Sequence, residues 1–135
     1  MIYEATVAYK CLDEKGDEVS KKEQYVIENC NTFSEVESRL FEEGGSLEDF
    51  DVTNIKRSKV KETANERQSR EDLIWLAEMM DVFHDDQGNE KPMKYKILFF
   101  SKTYESANAF ITEYSKQGYD MSLVSLKLTK FADVI

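Results

Sequence analysis

The chain is poor in the residues that punctuate or staple a fold. In 135 residues it has one proline, five glycines, two cysteines and one histidine. So little proline and glycine excludes long loop-rich or low-complexity stretches. Two cysteines, Cys11 and Cys30, are too few for a disulfide scaffold and would stay reduced in a cytoplasm. With the single His84 they make no zinc pattern. No apolar run approaches membrane-spanning length. The opening MIYEATVAYK carries Glu4 and lacks a basic region followed by an apolar run, unlike a secretory leader. A cytoplasmic protein without membrane segments is expected.

What the chain has in quantity is charge. Hydrophobic residues make up 41% and charged residues 33%, a globular rather than a disordered balance. The 27 acidic side chains against 18 basic ones leave a formal charge of −9. That disfavours indiscriminate binding to nucleic acid or anionic membranes. The charge is uneven. Between Lys56 and Arg70 stand six bases (Lys56, Arg57, Lys59, Lys61, Arg67, Arg70) and two acids (Glu62, Glu66), which leaves that stretch at +4 and the remainder at −13. A basic strip on an acidic body reads either as an interaction surface or as a solvated linker.

The sequence also repeats itself. Shifted by about 72 positions, Ile2 falls on Ile74, Ala5 on Ala77, Asp13 on Asp85, Gly16 on Gly88 and Glu18 on Glu90. With a small slip, NTFSEVESRL from Asn31 parallels KTYESANAFI from Lys102, and FDVTNIKR from Phe50 parallels MSLVSLKL from Met121. Two copies of one unit, about 1–57 and 73–135, joined by a linker over 58–72, form a single domain in this reading.

Each copy reads as β-β-α-β. Tyr3, Ala5, Val7, Tyr9 and Cys11 alternate with polar residues as in a half-buried strand. The acidic, glycine-containing DEKGDE and HDDQGNE are hairpin turns. Thr32 with Glu35 three residues later reads as a capping box. Phe33, Val36 and Leu40 share one helical face. Gly44 and Gly45 are expected to end this helix in the left-handed conformation, and Gly118 to end its counterpart, over 104–117. In both third strands the apolar phase slips, after Val52 and after Leu123, which predicts a bulge in each. The fold class is α+β: antiparallel sheet or sheets with two helices packed on one side, pseudo-twofold.

These residues, YEATVAY, TFSEVESRL and VTNIKR above all, resemble an uncharacterised domain family of unknown function found in bacteria of the Bacteroides group and in their phages and mobile elements. The resemblance covers most of residues 2–57 and is weaker beyond Asp72, where MMDVFHDD departs from a more polar, basic strand. It implies a duplicated domain in a phage or mobile-element setting. The family has no assigned activity, so no catalytic residue carries over.

No catalytic constellation is visible. His84 lies at a strand-to-turn junction beside Asp85 and Asp86, the place of a solvated turn residue. Cys11 falls on the apolar face of its strand, and Cys30 lacks a partner base near the helix start. Neither acidic turn has the spacing of a calcium loop, and no glycine-rich phosphate loop is present. An enzyme, a cofactor and a metal are therefore not expected.

Binding remains. The first expectation is an acidic module that docks on a host or phage protein, such as one of a defence system, and modulates it. The second is single-stranded nucleic-acid binding, with the Lys56–Arg70 strip on phosphates and sheet aromatics stacking bases. Tyr3, Tyr9, Tyr25, Trp75 and Tyr95 are the aromatic candidates, with Trp75 the probe. Their alternation, however, places most on the helix-facing side. The third is a structural or virion-associated homodimer. KYKILFFSK is apolar on both faces, as in a central strand or one paired across an interface, and KFADVI adds an apolar tail.

Overall fold

The computed structural model describes residues 1–118 and 121–135. Its elements are β1 (Tyr3–Leu12), β2 (Glu18–Ile27), α1 (Phe33–Gly44), β3 (Glu48–Arg57), β4 (Val60–Thr63), β5 (Leu73–His84), β6 (Glu90–Ser101), α2 (Tyr104–Ser115), β7 (Ser122–Leu128) and β8 (Phe131–Val134). The fold is α+β with two antiparallel-rich sheets, ordered β3-β1-β2-β8 and β4-β6-β5-β7. The chain divides into two compact units. One comprises Met1–Ser58 with Lys130–Ile135, the other Lys59–Thr129. Among the described residues no helix is long and apolar enough to cross a membrane.

The two hairpins turn by the same chemistry. Asp13 Oδ1 accepts from the Lys15 and Asp17 backbone N–H groups at 2.9 and 2.8 Å. Asp85 Oδ1 does the same for Gln87 and Asn89, also at 2.9 and 2.8 Å. Gly16 and Gly88 follow with φ of +81° and +79°, a conformation that costs glycine no side-chain clash. The acidic turn residues thus serve the backbone.

Both phase slips are bulges. The β1–β3 register jumps between Thr6 and Val7, leaving Thr53 unpaired in the ladder. The β5–β7 register jumps between Glu78 and Met79, leaving Val124 in the same position. The extra residue restores inward apolar phase on either side of the bend.

Each helix starts on a threonine. Thr32 Oγ1 accepts from the Glu35 N–H at 3.2 Å, while the Glu35 carboxylate reaches one residue further back, to the Asn31 N–H at 3.0 Å. Thr103 and Ser106 form the full reciprocal box. The end of α1 differs from the expected left-handed glycine cap. Gly45 has φ −65° and its N–H bonds the carbonyl of Phe41 at 2.8 Å. Both glycines are required for space: a Cβ on Gly45 would run into the Phe41 carbonyl, and one on Gly44 would stand 2.5 Å from the Phe50 ring. At Gly118 a Cβ would meet Met121 at 2.9 Å.

The inward face of each sheet packs on its helix. Tyr3, Ala5, Val7, Ile27, Cys30, Val36 and Leu40 make the core of the first unit. Trp75, Ala77, Met79, Ile97, Phe99, Ala107 and Ile111 make that of the second. Residues alternating to the other face are buried too, notably Val26, Ile74, Leu98 and Phe100. β6 is interior to its sheet, and its residues are buried on both faces over Ile97–Phe100, in keeping with its continuous apolar run.

Residues 58–72, expected as a linker, are more ordered than that. β4 lies parallel to β6. Asn65 exchanges two hydrogen bonds with the Phe100 backbone, at 3.0 and 2.6 Å. β8 in turn lies parallel to β2. Each sheet therefore takes its fourth strand from the chain that follows the other sheet's third strand. The closing bonds match: Ala64 N–H to Leu98 carbonyl and Ile135 N–H to Val26 carbonyl, both 2.8 Å.

Candidate binding site

In the first unit a cavity of about 270 Å³ opens at one end of α1. Its floor and walls are apolar or aromatic, including Val7, Leu40, Leu47, Phe50 and Ile135. Tyr9, Glu23, Tyr25, Glu43, Ala132 and Asp133 supply the rest of the lining. The strand pairing explains the grouping. Tyr9, Glu23 and Tyr25 project to the helix side of adjacent strands β1 and β2. β8 brings Asp133 opposite Tyr25, and the last turn of α1 brings Glu43.

The polar groups are organised around Glu23. The Tyr9 hydroxyl donates to one of its carboxylate oxygens, and the Tyr25 hydroxyl to the other at 3.4 Å. Among the described residues no lysine or arginine lines the cavity. Lys21, opposite Tyr9 in the ladder, is exposed and stands outside it.

The hydrogen bond to Glu23, followed by burial, pushes the Tyr9 phenol up to about 12 from 10.0. Burial, and then the Glu23 charge, raises Tyr25. The fold thus favours the neutral phenol of Tyr9. That stabilisation is complete below pH 10 and is lost as the pH rises through about 12. Absorbance titration of the phenolates should show a tyrosine ionising near the upper value. Glu23→Gln should return it toward 10.0, and an unchanged titration would contradict the assigned bond.

The second unit carries an equivalent set with residue types exchanged. By strand register Asp81 stands where Tyr9 does, Tyr95 where Glu23 does, and Ile97 where Tyr25 does. Glu62 matches Asp133 and Lys61 matches Ala132. The Tyr114 hydroxyl donates to Glu62, and burial, then that bond, raises its phenol. Burial, then the charges of Asp81 and Glu62, raises Tyr95. The Lys61 ammonium lies over the Tyr95 ring, 4.5 Å from its centroid.

The residues singled out in sequence fall into two groups. Lys56 and Arg57 close β3 in the first unit, while Lys59, Lys61, Arg67 and Arg70 belong to the second. All six are exposed. Three have local contacts: Arg57 to the Met1 sulfur, Lys61 to Tyr95, and Arg67 to the Phe100 ring and the Asp72 carbonyl. Bases on edge strands also keep other strands from adding there. Trp75 is a core residue, 6% exposed, whose indole N–H bonds the Ser101 carbonyl at 2.9 Å. Its position on the inward face of β5 removes it as a stacking surface. Tyr3 is likewise buried, and Tyr9, Tyr25 and Tyr95 lie half-buried on the helix side. Sequence reasoning missed the cavity. Its polar residues lie on β1, β2, α1 and β8, far apart along the chain, and only the sheet order joins them.

Across residues 1–135 the sequence matches the family described as Domain of unknown function (DUF4494). The chain belongs to the DUF4494 family. No curated protein and no solved structure matches it. Any function for this DUF4494 chain must therefore be argued from its own residues.

Proposed function

We propose that this DUF4494 chain is a non-enzymatic, cytoplasmic interaction module of phage or mobile-element type that binds a basic surface on a host or phage protein. The observation that carries this reading is the first unit's cavity, whose lining among the described residues includes the carboxylates of Glu23 and Glu43 and no lysine or arginine, in a chain of formal charge −9. Such a surface steers basic partners toward it and repels phosphate backbones. The competing nucleic-acid reading needs aromatic faces open for stacking. Trp75 and Tyr3 are buried, so it loses its best stacking residues.

Fluorescence anisotropy decides between them. A labelled lysine-rich peptide, single-stranded DNA and RNA are each titrated at low and at physiological salt. The peptide should bind saturably and more weakly as salt rises, with little binding of either nucleic acid. Saturable nucleic-acid binding that falls linearly in log salt would reverse the proposal.

A further inference from the structure

Resting on the reading of a module that docks on a protein, we infer that the first unit's cavity receives a single aromatic side chain of the partner, one whose ring carries a hydrogen-bond donor. The second unit holds such a ring from within. Counted from the capping threonines Thr103 and Thr32, Tyr114 of α2 has the place that Glu43 has in α1. The Tyr114 ring is half-buried and packs against the second unit's core. Its hydroxyl donates to Glu62 of β4. The phenol thus bridges the last turn of the helix and the fourth strand of the sheet.

In the first unit Glu43 replaces that ring, and Ala132 and Asp133 of β8 stand where Lys61 and Glu62 stand on β4. Glu43, Ala132 and Asp133 all line one cavity of about 270 Å³. The space between helix end and fourth strand is crossed by a ring in one unit and open in the other. Its walls suit an aromatic occupant. Val7, Leu40, Leu47 and Phe50 offer apolar contact, and Tyr9 and Tyr25 offer further rings. An ionised carboxylate accepts hydrogen bonds and donates none, so Glu23 and Glu43 select a ring with an O–H or N–H. Glu23 takes one bond from each tyrosine, and a carboxylate has room for about four. Asp133 enters only as wall, since its Oδ1 already accepts from the Val134 N–H at 2.9 Å. The volume falls below the roughly 300–1,000 Å³ of sites for whole drug-sized ligands. A single anchoring tyrosine or tryptophan in such a pocket is the kind of residue that carries most of an interface's energy.

The test is a methyl NMR titration of the whole chain with p-cresol, the side-chain analogue of tyrosine. Saturable ring-current shifts are expected at the methyl groups of Val7, Leu40, Leu47 and Ala132, with a dissociation constant of about 1 mM, the range for so small a ligand. Methylcyclohexanol keeps the size and the hydroxyl without the aromatic face, and toluene keeps the face without the donor. Each should bind at least about threefold more weakly. Glu43→Tyr supplies the ring from α1, as Tyr114 does from α2. It should weaken p-cresol by about tenfold or more in an otherwise preserved spectrum. Should that variant misfold, Leu47→Ala, at a side chain 43% exposed, should weaken p-cresol by about threefold or more. Shifts that do not saturate, equal binding of either analogue, or unchanged affinity in a folded variant would each overturn the site. A lysine-rich peptide that binds a chain indifferent to p-cresol would overturn the site alone and leave the acidic module standing. Saturable p-cresol binding without peptide binding would uphold the site and remove the acidic module.

Discussion

Phe99→Ala should lower the stability of the protein by about 3–5 kcal/mol, a large share of the roughly 5–15 kcal/mol available to a domain of this size. Phe99 is fully buried on the inward face of β6. Its ring stacks on Phe110 of α2, with centroids 4.7 Å apart and planes at 21°. Truncation removes one of the contacts that hold α2 on the sheet, beside those of Ala107 and Ile111, and leaves a void between two elements that cannot close without shifting. Urea unfolding followed by the fluorescence of Trp75, the only tryptophan, reports on this unit directly. Phe83→Ala provides the contrast. That side chain stands at the far end of β5 and is 46% exposed, so its loss should cost about 0.5 kcal/mol or less. Similar losses from both variants would contradict the placement of the core.

Removal of Lys130–Ile135 should unfold the first unit before the second, although these residues directly follow β7. The six residues carry β8 and its pairing with β2. They supply the bonds from Glu28 N–H to the Ile135 carbonyl and from Ile135 N–H to the Val26 carbonyl, both 2.8 Å. Ile135 also packs on the core around Val7 and Leu40. Losing two ladder bonds at about 1 kcal/mol each, together with one partly buried isoleucine, predicts a cost of about 2–4 kcal/mol. Amide hydrogen exchange gives the location. Protection should collapse in β1 and β2 and persist in β5 and β6. Loss centred on β5 and β7 would mean that the segment serves the unit it follows, against the observed strand order.

Much of the fold was legible because alternation and turn chemistry are local. The period-two pattern of Tyr3 to Cys11, the glycine-containing acidic turns and the Thr32 cap each act within a few residues, and each held. Even the bulges at Thr53 and Val124 were visible, since an extra residue displaces every later apolar side chain to the wrong face. The fourth strands were not legible. VKET and FADV are four residues long, share no identity at matching positions, and have too few positions to establish a period. Their pairing is decided by the open edges of β6 and β2. The bases around β4 reinforced the impression of a linker. The expected left-handed cap failed for a related reason: glycine stands at 44 because the Phe50 ring crowds it, a tertiary fact, and at 45 because the Phe41 carbonyl does. The candidate site follows the same division. The acidic character of the chain was plain, whereas the correspondence of Lys61 with Ala132 exists only once both short strands are placed.

Zero-length carbodiimide coupling tests the central claim most directly. Carboxylates of the protein are activated in the presence of a lysine-rich peptide at physiological salt, and the new amide bonds are mapped by mass spectrometry. Coupling concentrated on Glu23 and Glu43, which line the first unit's cavity, is the predicted result. Coupling spread evenly over the 27 acidic residues would contradict it.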